Sequence, residues 1–136
     1  MFVKMGSKTR LLYHIILTTK YRKSVLAGIE QQVYAAFREI EKHSSFEILA
    51  MGIEHGNHIH MVIKSPPQFS VSGIVSRLKG YSLKHLWDSE SEHLSRFYWG
   101  NKRKLWHGGY YCDTIGRVSK EKILHYVQSQ DGESEK

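Results

Sequence analysis

Between the turn pair Gly56-Asn57 and the break Ser65-Pro66-Pro67, the chain reads His58-Ile59-His60-Met61-Val62-Ile63-Lys64. A run this short and rich in apolar and β-branched residues, bounded by turn residues, predicts a strand, and the prolines end it because they cannot donate to a sheet ladder. Side chains alternate faces along a strand, so both imidazoles project from one face, roughly 6.5–7 Å apart. Ile59, Met61 and Ile63 point the other way, toward a core. A one-residue slip would bury the histidines and expose the isoleucines, so this segment constrains the sheet around it. Two imidazoles on one face can grip a divalent ion or a phosphate. A bare pair is equally at home on the solvated face of a half-buried strand, because two ligands do not make a metal site.

The flanking segments give an ordered set of elements. Leu11 to Thr19 predicts a strand, followed by the cationic cluster Lys20, Tyr21, Arg22, Lys23. Ile29, Val33, Phe37 and Ile40 recur at helical spacing and predict a helix over 29–43. Phe46 to Glu54 predicts the strand that enters the hairpin at Gly56-Asn57. A second helix is predicted over 70–87, with Val71, Ile74, Val75 and Leu78 on one face. Gly80 weakens its middle and would permit the close approach of another backbone. Residues 88–108 read as a long loop with room for a helical turn, Tyr110 to Ile115 as a fourth strand, and 120–130 as a final helix capped by Ser119.

Strand, helix, strand, strand, helix, strand is the order of a ferredoxin-like split βαβ fold. The expected architecture is α+β: an antiparallel sheet with two helices on one face and the C-terminal, tyrosine-bearing helix on or near the other. His58 and His60 would then lie on the face left open by the two helices. At 136 residues the chain is expected to form one domain spanning 1–136, with 1–10 a flexible basic arm and 131–136 a frayed tail.

A formal charge of +7 with 12% aromatic residues suits contact with nucleic acid, above all with single strands whose bases can stack. The lone cysteine, Cys112, excludes an internal disulfide and a cysteine-based zinc cage, and fits a cytoplasmic protein. No membrane-spanning apolar stretch or signal peptide is evident.

On the final helix Tyr126 and Gln130 lie four residues apart, about one turn or roughly 6 Å. A tyrosine hydroxyl can attack phosphorus if a cation stabilises the phenolate or polarises the phosphate. Gln130 offers an amide oxygen as a third ligand beside two histidines. Each is also an ordinary helix-flank residue when taken without the histidine pair.

Four stretches taken together resemble the HUH single-tyrosine transposases of bacterial and archaeal insertion sequences. They are Tyr13-His14 through Thr19-Lys20-Tyr21-Arg22; His58-Ile59-His60; Leu78-Lys79-Gly80-Tyr81-Ser82; and Leu105-Trp106, Gly109-Tyr110-Tyr111 leading to Tyr126-Val127 and Gln130. They occur in order over nearly the whole chain. Asn57 stands where members often carry aspartate; a neutral amide can orient an imidazole but does not raise its basicity as a carboxylate would.

The resemblance implies a transposase that cleaves and rejoins single-stranded DNA through a 5′-phosphotyrosine on Tyr126. It implies Mg²⁺ or Mn²⁺ held by His58, His60 and Gln130, and hairpins at the element's ends as DNA partners. It also implies a homodimer in which the tyrosine helix of one subunit completes the histidine site of the other. Lys20, Arg22, Lys23, Arg77 and Lys79 are the candidates for backbone contacts. The competing readings are a non-catalytic ferredoxin-like nucleic-acid-binding module, a related replication or conjugation nickase, and a zinc hydrolase using the histidine pair with Glu54 or Asp113.

Overall fold

The computed structural model describes residues 10–100, 102–116 and 121. Its elements are β1 (Leu11–Thr18), a single 3-10 turn (Lys20–Arg22), α1 (Glu30–Lys42), β2 (Glu47–Glu54), β3 (His58–Ser65), α2 (Val71–Ser89), α3 (Ser91–Ser95) and β4 (Tyr111–Thr114). All strand pairs are antiparallel, in the order β2-β3-β1-β4, which is the ferredoxin-like arrangement the element order predicts. Apart from Arg10 and Glu121, the expected arm 1–10, the expected tyrosine-bearing helix 120–130 and the expected tail 131–136 lie outside the described residues.

The main core lies between one sheet face and the pair α1 and α2. Ile15, Leu17, Met51, Ile53, Ile59, Met61 and Ile63 face it from the sheet, and Val33, Phe37, Ile40, Ile74, Val75 and Leu78 from the helices. Ile59, Met61 and Ile63 are fully buried there, as the alternation predicts. α1 carries an apolar stripe at helical spacing, and Tyr34 both fills the core and accepts a hydrogen bond from the Ile53 N–H at its Oη at 2.9 Å, satisfying a backbone donor on β2. α2 starts where Ser70 accepts from the Gly73 N–H at 3.0 Å, an N-cap bond.

In the segment 88–108, residue 101 apart, α3 supplies the helical turn for which the loop reading left room, and α2 pins the rest. Trp106 Nε1 donates to the buried Ser82 hydroxyl at 2.9 Å, and Trp87 Nε1 donates to the Lys104 carbonyl at 2.9 Å. Lys79 Nζ reaches the carbonyls of His107 and Gly109 at 2.7 and 2.9 Å. Tryptophans dominate these contacts because each has one N–H that must find an acceptor once the ring is buried.

Two glycines behave differently from one another. The β2–β3 turn is centred one residue earlier than Gly56-Asn57: His55 (φ 56) and Gly56 (φ 67) are its left-handed residues. A Cβ at Gly56 would also lie 2.9 Å from that of Ala27. Gly80, in contrast, has nothing within 4 Å of a Cβ among the described residues, so none of their backbone makes the close approach expected there. Gly80→Ala should therefore stabilise the fold by about 0.5–1 kcal/mol through lower unfolded-state entropy. Gly56→Ala should destabilise it by about 1–3 kcal/mol, from left-handed strain and the clash. Urea unfolding of the two variants checks both signs.

Candidate functional site

His58 and His60 project from β3 on the face turned away from α1 and α2. Register sets Glu54 of β2 opposite His58 and the side-chain-less Gly52 opposite His60, so the Glu54 carboxylate can lean across both rings. Glu54 Oε1 lies 2.8 Å from His58 Nε2 and 3.2 Å from His60 Nε2. This face is less open than expected: His60 is only 8% exposed, and the neighbouring Val62 and Ala50 are buried with Leu49 and Ile115 against them.

Contacts at the opposite ring nitrogens orient the pair. His58 Nδ1 lies 2.8 Å from Asn57 Oδ1, and an amide oxygen only accepts, so Nδ1 carries the proton. In the neutral ring, Nε2 then presents a lone pair to a carboxylate oxygen, an arrangement that a shared proton or a cation between them would satisfy. His60 Nδ1 lies 3.1 Å from His14 Nε2, and the two rings stack at 5.3 Å between centroids and 15° between planes.

His14 comes from β1, where Ile16 pairs with His60 and His14 with Val62, on the same face. Its other flank meets the Tyr111 ring edge-on at 5.8 Å, with Asp113 its register partner on β4. Burial, reinforced by the His60 charge and opposed by Asp113, lowers the His14 pKa. Burial and then His58 lower that of His60, against a raising influence of the Glu54 hydrogen bond and charge. Both rings therefore favour the neutral form, the form in which His60 can bind a metal.

The donor set suits a divalent ion. One ligand atom each from Glu54, His58 and His60 lies within 4.8 Å of the others. An octahedron with bonds of roughly 2.1 Å has edges of about 3 Å, close to the 2.8 and 3.2 Å separations from Glu54. Two imidazoles with one carboxylate suit Mn²⁺ better than Mg²⁺.

The remaining expected residues separate into groups. Tyr126 and Gln130 lie outside the described residues. Lys20, Arg22 and Lys23 stand together on the turn that follows β1, beside the site, since the Thr19 N–H donates to the Asn57 carbonyl at 2.9 Å. Arg77 is elsewhere, donating to the Ser44 hydroxyl and His43 carbonyl at 2.7 and 2.6 Å. Lys79 is engaged with the 107–109 carbonyls as described above. Asp113 on β4 is separated from Glu54 on β2 by β1 and β3, and Glu54 alone of the two carboxylates contacts the pair.

Glu54 and His14 stand outside the expected ligand set His58, His60 and Gln130; Glu54 entered the sequence reading only with Asp113 in the zinc-hydrolase alternative, and His14 only in the Tyr13-His14 stretch. A signal for each was present: Glu54 precedes the hairpin at the spacing that pairs it with His58, and His14 alternates with the core residues Tyr13, Ile15 and Leu17.

The family described as "Transposase IS200 like" matches residues 7–130. The transposase for insertion sequence element IS200 of Salmonella typhimurium is 33% identical over 119 residues, covering 87% of this chain and 75% of that protein. The ISDra2 transposase TnpA of Deinococcus radiodurans is 27% identical over 126 residues, covering 92% and 87%. A crystal structure of a Deinococcus radiodurans chain assigned as a transposase superposes with a TM-score of 0.72 at 27% identity, covering 96% of this chain and 98% of that one. The structure of a REP-associated tyrosine transposase bound to a REP hairpin gives a TM-score of 0.63 over 86% of this chain and 64% of that one; at 13% identity the likeness is one of fold.

The lowered pKa values of His14 and His60 fix the sign of a pH effect on the metal-free protein. Below about pH 6.5 the unfolded chain binds more protons at these rings than the folded one, so stability is lost as pH falls through that window. The urea midpoint should decline from about pH 6.5 downward, and His14→Gln should make the decline shallower. An unchanged slope in the variant would refute the assigned burial of its charge.

Proposed function

Because the chain belongs to the IS200-like transposase family, we propose that it cuts and rejoins single-stranded DNA at insertion-sequence ends through a covalent phosphotyrosine on Tyr126. The observation that carries this reading is the convergence of Glu54 Oε1 on the Nε2 atoms of His58 and His60, with Asn57 and His14 fixing the outer ring nitrogens.

His58 and His60, with Glu54 and Gln130 as the oxygen donors, would hold Mg²⁺ or Mn²⁺. When bound, that ion supplies Lewis-acid polarisation of the scissile phosphate. Tyr126 Oη attacks phosphorus and gives its proton to solvent; the bond from phosphorus to the 3′-oxygen breaks, and that oxygen leaves with the electron pair and takes a proton from solvent. The 5′-phosphate stays on the tyrosine, so the phosphodiester's energy is conserved and a new 3′-hydroxyl can reverse the step without a nucleotide cofactor.

Two described tyrosines are poor rivals for the nucleophile. Tyr98 is buried, donates its hydroxyl to the Lys20 carbonyl at 2.7 Å, and has its pKa pushed up to about 12, chiefly by burial. Tyr111 shares the histidine face, but the Asp113 charge raises its pKa and disfavours the phenolate. DNA hairpins at the element's ends are the proposed substrates, and a homodimer with sites shared between subunits the proposed assembly. Among the described residues no helix is long and apolar enough to cross a membrane.

Incubation with single strands from the element's flanks should give a covalent adduct that needs a divalent ion. Tyr126→Phe should lose the adduct while keeping hairpin affinity, since only a hydroxyl is removed. Peptide mapping that located the DNA on Tyr111 or Tyr98, or full cleavage in EDTA, would overturn the assignment.

A second outcome tests the assembly. Tyr126→Phe and His58→Ala proteins, each inactive alone, should regain cleavage when mixed, because one mixed site then holds both intact groups. Mixed dimers without activity would leave the chemistry standing and reject the shared site.

A further inference from the structure

Two aromatic side chains lie far out of the core at one edge of the molecule. Tyr21 is 62% exposed and Trp99 71% exposed, the two largest values among the exposed large hydrophobics of the described residues. Tyr21 sits in the turn after β1 with φ 61, followed by Arg22 with φ 53. Left-handed backbone is unfavourable for both residue types, and a strained turn persists only when its surroundings over-determine it. Here they do. The Lys20 N–H donates to the Leu105 carbonyl at 2.8 Å and the Arg22 N–H to the Thr19 carbonyl at 3.0 Å. The Thr19 hydroxyl donates to the Lys23 carbonyl at 2.7 Å, and Tyr98 Oη to the Lys20 carbonyl at 2.7 Å. The effect of these bonds is to hold the Tyr21 ring out in solvent.

Cations surround the two rings. Lys20 Nζ and Lys104 Nζ lie 5.6 and 5.4 Å from the Tyr21 centroid, and Lys23 Nζ lies 4.9 Å from that of Trp99. Tyr21 is the wall common to two hollows, of about 420 and 160 Å³, and no carboxylate lines either one among the described residues. The edge is tied to the histidine strand: Asn57 holds His58 through Oδ1, its carbonyl accepts from the Thr19 N–H, and its Nδ2 lies 3.5 Å from the Arg22 carbonyl.

We propose that Tyr21 and Trp99, flanked by Lys20, Lys23 and Lys104, form a platform on which unpaired bases of a DNA single strand stack beside the histidine site. Exposed aromatic faces bind bases and the ammonium groups bind the phosphates between them, a combination that fits a single strand and excludes a duplex, whose bases are already stacked. The choice of DNA as the occupant rests on the strand-cutting reading of the histidine site.

The test is a fluorescence titration of the full chain in EDTA, where no cleavage is required, with oligodeoxythymidylate and with a blunt duplex of the same length. The single strand should quench the exposed Trp99. Trp99→Ala and Tyr21→Gly should each weaken single-strand binding by about tenfold or more, and Trp99→Phe should retain most of it. Tyr21→Gly relieves the left-handed strain, so its thermal midpoint should equal or exceed that of the original chain; a purely structural tyrosine would not lose binding while gaining stability. Lys23→Gln should reduce the salt slope by about 0.7, whereas the aromatic variants should leave it unchanged. Absence of oligodeoxythymidylate binding, equal binding of the duplex, or unchanged affinity in both aromatic variants would each overturn the platform. Failure of the covalent-adduct experiment alongside success here would remove the cutting reaction and keep the platform.

Discussion

The antiparallel register at the centre of the sheet is the constraint on which the rest of the site depends. It sets Ile16 opposite His60 and Glu54 opposite His58, and alternation then brings His14, His58, His60 and Glu54 to one face. The same pairing sends Ile15, Ile59 and Met61 into the main core. Burial of a Leu- or Ile-sized side chain contributes about 1.5–3 kcal/mol, so a slip in register would cost many such contacts at once. The polar constellation is weak by itself and is held in place by the apolar face behind it.

That division of labour explains why charged groups can meet in a half-buried position. A carboxylate and two imidazoles brought together without a proton or cation would be costly to desolvate. Here Asn57 and His14 occupy the outer ring nitrogens, so the inner nitrogens are committed to face Glu54. The arrangement is preorganised for a cation, since the orientation of the rings is settled by contacts that do not involve one.

The segment between α3 and β4 has a related role at the edge of the site. Residues 97–107 contribute buried anchors, Tyr98, Leu105 and Trp106, between which Trp99 and Lys104 project outward. Anchoring through Ser82 and the Lys20 carbonyl lets a long connection hold exposed groups in fixed positions. Loops carry function well when a rigid scaffold sets their geometry, and here the scaffold is α2 and the end of β1.

Local pattern in the chain was enough to determine the element order from β1 to β4, the inward set Ile59, Met61 and Ile63, and the shared face of His58 and His60. These follow from a periodicity of two or 3.6 residues and need no knowledge of distant neighbours. The resemblance carried by His58-Ile59-His60 and its companion stretches reached the family as well. Only the tertiary structure decided that Glu54 and not Asp113 meets the pair, that His14 stacks on His60, that Gly80 has no described neighbour within 4 Å of a Cβ while Gly56 meets Ala27, and that Lys79 and Arg77 bond to backbone carbonyls. Each of these depends on which strand lies beside which and on how far apart two remote segments finish. Those distances arise from packing the whole core, and no short window of sequence contains them.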